Sequence, residues 1–115
     1  MLLTLEESYE VNDDLVTISV IPGEGQKAHV KVWLSDNVVK SGTVIEDLPI
    51  GRGSEIAGME LQVATTVADT NPQTNRTSVT YVLKGGPKAH MYLQHFEVSK
   101  EGETVDYFAT FKLLR

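Results

Sequence analysis

The sequence predicts an all-β fold, an antiparallel β-sandwich of about eight short strands, and two observations favour it. Apolar and polar residues alternate along nearly every apolar segment, which is the period of a strand with one buried face. Turn signals that contain glycine or proline separate these segments, for example at 22–25, 85–87 and 100–102. Helical spacing does not persist beyond about one turn anywhere in the chain, so no helix is expected.

In chain order, the strands are expected at 2–11, 15–21, 28–34, 38–46, 58–68, 77–84, 88–98 and 104–113. In the third strand Val30 and Val32 alternate with Lys31, which predicts that both valines face the core. In the last strand the same alternation predicts that Tyr107 and Phe111 point between the sheets. Short connections that reverse the chain predict antiparallel pairing of consecutive strands.

The seventh strand interrupts its own alternation. Met91 and Leu93 occupy odd positions, whereas Phe96 occupies an even one. A β-bulge inserts one residue and so changes the face on which the following side chains lie. A bulge near Gln94 or His95 is therefore expected.

The length of 115 residues is typical of one domain, so a single sandwich is expected over 1–115, in an immunoglobulin-like or jelly-roll-like arrangement. A small closed β-barrel is the alternative, but strands of about six to eight residues favour a filled core over a cavity. Trp33 is two residues from Lys31 on the same strand, so both side chains should lie on the outer face. It is a candidate interface residue, or else a ring partly buried under a loop.

Acidic residues are concentrated at the start of the chain. The net charge is −6, and residues 1–14 contain five acids with no Lys or Arg. This acidic strand is expected to be a solvated edge that resists pairing with other molecules, or a docking surface for a basic partner. Nucleic acid is not an expected partner, because binding it requires a basic face that this sequence lacks.

The absence of cysteine and of long apolar segments restricts the possible chemistry and the expected cellular compartment. The chain has no cysteine, which excludes disulfides, thiolate metal ligands and a cysteine nucleophile. No apolar run approaches about 18 residues, and the first residues do not resemble a signal peptide. A soluble cytoplasmic protein without membrane contact is expected.

The segment 47–57, which begins DLPIGRGSE, is predicted to be the longest loop. Its glycines do not have the spacing of a phosphate-binding loop that leads into a helix. Ser54 lacks the flanking glycines of a hydrolase nucleophile elbow. Because no nucleotide motif or activated nucleophile is present, the protein is expected not to be an enzyme.

Metal and cofactor sites are not expected. His90 and His95 should point to opposite faces of one strand. The loop after the fifth strand offers Asp69, Asn71 and Asn75 as calcium ligands. Asx turns, in which the side chain bonds the backbone, explain the same residues with fewer requirements.

The loops predict one candidate binding site. If every connection reverses the chain, loops 22–27, 47–57 and 85–87 meet at one end of the sandwich, and acidic loops meet at the other. Glycine-rich loops with nearby cations can bind anions through their backbone N–H groups. The residues expected at this basic end are Lys27, Arg52, Lys84, Lys88, Gly51 and Gly53.

The leading hypothesis is a non-catalytic binding or accessory module that engages a protein partner or an anionic small ligand through the basic end. One alternative is a structural subunit that assembles through its strand edges or through the face that carries Trp33. Another is a small-ligand-binding β-barrel, which requires a large apolar cavity.

Overall fold

A computed structural model describes all 115 residues and contains nine strands and one short helix. The elements are β1 (Leu2–Glu10), β2 (Leu15–Pro22), β3 (Lys27–Leu34), β4 (Asn37–Gly42), β5 (Ile45–Arg52), α1 (Gly53–Ile56), β6 (Glu60–Ala68), β7 (Arg76–Lys84), β8 (His90–Glu97) and β9 (Thr104–Leu114). Buried and exposed residues alternate most regularly in β6, β7 and β9. No helix is long and apolar enough to span a bilayer.

The strands form two sheets that pack face to face. Five strands pair in the order β1-β9-β6-β3-β4, and four pair in the order β5-β2-β7-β8. Every pair is antiparallel except β1 with β9, which are parallel. The predicted sandwich is therefore confirmed, and the alternative of a closed barrel is wrong because the two sheets remain separate.

The core lies between the two sheets and consists of 21 buried apolar side chains. Tyr107 and Phe111 are 1% and 0% exposed, as the alternation in the last strand predicts. Val30 and Val32 are also fully buried. Removing these side chains from water is the main favourable term in folding, so the inward faces set the strand register.

The segment 47–57, predicted to be a loop, is instead most of β5 followed by α1. The chain leaves the five-stranded sheet after β4 and joins the four-stranded sheet as β5, so the structure has nine strands rather than about eight. Pro49 and Gly51 give this segment the composition of a loop. An edge strand tolerates Pro49, because one of its sides makes no ladder hydrogen bonds. The positive φ of Asp47 (45°) coincides with a register shift in the pairing of β5 with β2. Leu48 and Ile50 pack against the core.

Strand β8 contains no bulge. It pairs with β7 in one continuous register, so the prediction of a bulge near Gln94 or His95 is wrong. The alternation in β8 is regular, but its apolar residues are divided between the two faces. Met91 and Leu93 lie on the outer face, where they are 72% and 58% exposed.

The loops alternate between two ends of the sandwich, as predicted, but the additional strand changes which loops meet. One end, the Asp14 end, contains loops 11–14, 35–36, 53–59 and 85–89, and the other, the Asp69 end, contains loops 23–26, 43–44, 69–75 and 98–103. The Gly53 N–H donates to the Asp14 carbonyl (2.9 Å) at the first end. The Asp69 N–H donates to the Glu103 carbonyl (2.9 Å) at the second.

Candidate functional site

The four cations of the predicted basic end do not come together. Lys27 begins β3 at the Asp69 end, whereas Arg52, Lys84 and Lys88 lie at the Asp14 end. The predicted grouping is therefore wrong. The physical reason is β5, which reverses the chain once more and so moves the later loops away from Lys27.

Arg52 and Lys84 flank β2, where Arg52 pairs with Leu15 and Lys84 pairs with Thr17. A strand spacing of about 4.8 Å and a rise of about 3.4 Å per residue place their Cα atoms roughly 12 Å apart. Lys84 Nζ lies 3.9 Å from the Asp47 carboxylate, and both side chains are exposed. Lys84 therefore lies near a carboxylate of β5, so the surroundings of these two cations are not purely basic.

The glycines at the Asp14 end allow close packing of the backbone. A Cβ added at Gly53 would lie 1.8 Å from the Asn12 carbonyl oxygen, and one added at Gly51 would lie 2.8 Å from the Ile56 side chain. The Gly53 N–H already donates to the Asp14 carbonyl. It is therefore not a free donor for an anion.

The loop that carries Lys88 is held by Tyr9, a buried residue of β1. The Tyr9 hydroxyl donates to the Lys88 carbonyl (2.8 Å) and accepts the Gly86 N–H (2.9 Å). Gly86 thus also uses its N–H within the protein. The Lys88 side chain is exposed.

At the Asp69 end, one glutamine side chain organises the loops. Gln26 Nε2 lies within hydrogen-bond distance of Asp69 Oδ1 (2.8 Å), the Thr74 carbonyl (3.1 Å) and the Arg76 carbonyl (2.9 Å). Gln26 Oε1 accepts the N–H groups of the two residues that follow Asp69, each at 2.7 Å. Asp69 is fully buried, and its Oδ2 has no hydrogen-bond partner.

Asn71 forms the Asx turn that the sequence offers as the alternative to a calcium site. Its Oδ1 accepts the Gln73 N–H (3.1 Å), and its Nδ2 donates to the Glu24 carbonyl (3.0 Å). No three His, Asp or Glu side chains of the chain converge as metal ligands would.

An exposed apolar surface lies on the outer face of the four-stranded sheet. This β8 surface consists of the outward side chains of Ile21, Thr80, Val82, Met91 and Leu93 at neighbouring positions of β2, β7 and β8. Ile21 is 41% exposed, in addition to the more exposed Met91 and Leu93. Contiguous apolar surface of this kind is typical of interaction sites.

A groove of about 630 Å³ adjoins the β8 surface on the side of the Asp69 end. Besides Leu93, its lining includes the polar or charged residues Arg76, Ser78, His95 and Glu97. Both signs of charge are present, which favours a polar ligand over a strongly anionic or cationic one.

Four strands form sheet edges, and three of them carry features that hinder pairing with another strand. Strand β1 contains three glutamates, β4 has six residues and a register shift, and β5 contains Pro49 and two register shifts. Strand β8 has a regular register and contains no Lys or Pro. Its one acidic residue, Glu97, is its last residue, so β8 is the least protected of the four edge strands.

A second exposed surface lies on the outer face of the five-stranded sheet. Trp33 is half-buried on this face, which confirms the position predicted from its parity. Together with Asp36, Gln62 and Phe108, it lines a depression of about 180 Å³. Lys31 Nζ lies 5.3 Å from the centre of the Trp33 ring system.

Hydroxyls of core tyrosines form hydrogen bonds with other buried groups. Tyr81 donates to Gln94 Oε1 (2.6 Å). The hydroxyls of Tyr107 and Thr77 share a hydrogen bond (2.5 Å). Burial raises the pKa of Tyr81 and Tyr107 above the ordinary value of a phenol, and the adjacent Tyr107 raises the pKa of Tyr81 further. Both phenols are therefore neutral structural groups near neutral pH.

Comparison of the chain with protein-family models, curated proteins and solved structures gives no match. The function is therefore argued from the surfaces themselves. Sequence reasoning identified Trp33 but missed Met91, Leu93 and Phe108. Regular alternation in β8 would have placed Met91 and Leu93 on one face of the strand. Phe108 and Lys112 are four residues apart in β9, so alternation would have placed Phe108 on the outer face with Lys112.

Proposed function

We propose that this chain is a non-catalytic protein-binding module that pairs an extended segment of a partner protein with the free edge of β8. The observation that carries the proposal is an edge strand with regular pairing to β7, no Lys or Pro, and exposed Met91 and Leu93 side chains. Strand addition to a sheet edge obtains its affinity from main-chain hydrogen bonds and its selectivity from alternate side chains.

The surroundings of β8 have the composition expected around such a strand. Alternate side chains of an added strand would lie beside Met91 and Leu93 on the outer face. Arg76 and Glu97 line the adjoining groove and would contact polar groups at one end of the added segment. Protein interfaces commonly combine an apolar centre with a polar rim.

A photoreactive amino acid placed at Met91 tests the proposal in the organism that encodes the chain. We expect ultraviolet light to attach one partner protein to position 91, as identified by mass spectrometry. The matched control carries the same amino acid at Val38, which is 54% exposed on the edge strand β4. Because β4 is short and its pairing is irregular, no adduct is expected there.

A Leu93→Lys change should abolish the adduct at position 91, because it places a charge in the centre of the β8 surface. The melting temperature of this variant should match that of the unmodified protein, because Leu93 lies outside the core. Equal labelling at positions 91 and 38, or no protein adduct at position 91, would contradict the proposal.

A structural subunit is a second candidate, and the same edge favours it. If two copies paired β8 in antiparallel fashion about Leu93, Met91 of each copy would lie opposite His95 of the other. A cross-link between two identical chains, together with a dimer in sedimentation, would assign β8 to self-assembly instead.

Binding of an anionic ligand at the Asp14 end has less support. Arg52 and Lys84 are close enough to act on one ligand, but Lys84 is already near Asp47. The donors of Gly53 and Gly86 are used within the protein. An anion site at this end stays a prediction from the sequence.

A further inference from the structure

The outer face of the five-stranded sheet carries two aromatic rings whose placement follows from strand register. Trp33 pairs with Gln62, and Gln62 pairs in turn with Thr110. Two residues along the strands, Ala64 pairs with Phe108. Trp33 and Phe108 therefore stand on opposite sides of β6, and the amide of Gln62 lies in the depression between them.

The turn between β3 and β4 places a carboxylate at the rim of this depression. Ser35 and Asp36 both have positive φ values, 46° and 69°, as a tight two-residue hairpin requires. The Ser35 N–H donates to the Glu60 carbonyl (3.0 Å), which ties the turn to β6. This bond and the hairpin geometry together hold the backbone of Asp36 at the rim.

The depression also extends beyond the two rings. A neighbouring depression of about 280 Å³ shares Asp36 and Gln62 and is lined further by Met59 and Glu60. The first depression, of about 180 Å³, is smaller than the pockets of roughly 300 to 1,000 Å³ that hold drug-sized molecules. Together, the two suit an elongated ligand made of small units.

The chemistry of the lining selects a neutral ligand that is polar at its edges and apolar on its faces. Asp36 and Glu60 accept hydrogen bonds, and the Gln62 amide both accepts and donates them. The two carboxylates disfavour an anion. The Lys31 ammonium, 5.3 Å from the centre of the Trp33 ring, disfavours a cation at that ring. Trp33 and Phe108 offer flat apolar surfaces, on which the C–H faces of a sugar ring can pack.

We infer that the surface formed by Trp33, Asp36, Gln62 and Phe108 binds a neutral oligosaccharide. One sugar ring stacks on Trp33 or Phe108 while its hydroxyls bond to Gln62 and Asp36, and a second ring extends toward Glu60. This site lies on the opposite sheet from β8, so it is independent of the protein-binding surface proposed above.

Trp33 is the only tryptophan of the chain, so its fluorescence reports on this surface alone. In the experiment, soluble hexasaccharides are added to the purified protein up to millimolar sugar concentration. They are hexasaccharides of glucose (β-1,4 and α-1,4), xylose, mannose and N-acetylglucosamine. At least one of them should change the Trp33 emission in a saturable way and protect Trp33 from iodide quenching. Phe108→Ala should weaken that binding about tenfold, consistent with the contribution of a single aromatic contact.

Gln62→Ala should also weaken binding of the same oligosaccharide, whereas Leu93→Lys should leave it unchanged. That control separates this inference from the proposed function of β8. The inference is overturned if no hexasaccharide alters Trp33 emission or quenching, or if Phe108→Ala binds as tightly as the unmodified chain. It is also overturned if Trp33 emission changes with protein concentration alone and the protein sediments as a dimer, because the face would then be an assembly interface.

Discussion

Phe111 and Lys112 are neighbours in β9 but occupy opposite environments. Phe111 is fully buried and packs against Tyr81 with ring centres 5.5 Å apart, whereas Lys112 is exposed. Phe111→Ala leaves a cavity in the core and should lower the free energy of unfolding by about 3 to 5 kcal/mol. Lys112→Ala should change it by less than about 0.5 kcal/mol, because its side chain lies in water.

Urea denaturation of the two variants measures both effects. Similar losses of stability would mean that β9 is shifted by one residue, since such a shift exchanges the inner and outer faces of a strand. The alternation in this strand is visible in the sequence, so the difference between the two positions is predictable without a structure.

At the scale of elements, Gln26 connects the loop before β3 to the loop before β7. Its amide lies against three oxygens and two N–H groups, and one of the oxygens belongs to the buried carboxylate of Asp69. Gln26→Ala leaves this carboxylate without its side-chain donor. Because an unsatisfied buried polar group costs about 1 to 3 kcal/mol, we expect a loss of stability of that order.

Amide hydrogen exchange should locate the effect of Gln26→Ala. Exchange of the N–H groups of Thr70 and Asn71 should accelerate more than exchange in β9, because these two groups lose their acceptor. The matched control is Gln73→Ala: Gln73 is exposed and takes part in the loop through its backbone N–H. Uniform acceleration along the whole chain would show that the glutamine does not act locally.

Strands β5 and β8 show why the bounds and the regularity of strands were harder to predict than the side of a strand that faces the core. Pro49 and Gly51 give β5 the local composition of a loop, and only its position at a sheet edge makes a strand compatible with Pro49. The prediction of a bulge in β8 assumed that Met91, Leu93 and Phe96 lie on the same face of the strand. Regular alternation places them on two faces, and which face is buried depends on the neighbouring strands.

At the scale of the whole molecule, the buried tyrosines predict loss of stability at alkaline pH. Burial raises the pKa of Tyr81 and Tyr107 in the folded protein, whereas in the unfolded chain both phenols ionise near pH ~10. Above that pH the unfolded state binds fewer protons than the folded state, so stability falls as pH rises. Below that pH both phenols are protonated in the folded and the unfolded state, so these two groups add no pH dependence to the stability.

Urea midpoints measured across the alkaline range check this expectation, and phenolate absorbance records the ionisation. The phenols of Tyr81 and Tyr107 should ionise only as the protein unfolds. Tyr107→Phe removes one of the two groups and should make the fall of stability with pH less steep, although it also removes the bond to Thr77. A midpoint that does not change above pH ~10 would contradict the assignment of raised pKa values.

The sequence by itself determined the fold class and the faces of most strands. The two-residue period of a strand is local, so it correctly placed Phe111 in the core and Trp33 on the outside. Phe108 alternates with Phe111 and so follows the same period, but it was not among the predicted site residues. These assignments need no knowledge of strand order.

Only the tertiary structure decided which outward residues lie together. Gln62 lies beside Trp33 because β6 pairs with β3, and Phe108 reaches the same depression because β9 pairs with β6 on its other side. Likewise, Lys27 is separated from Arg52 because β5 crosses the sandwich between them. Pairing between distant strands depends on how their combined inner faces fill one core, and that is a property of the whole chain rather than of any segment.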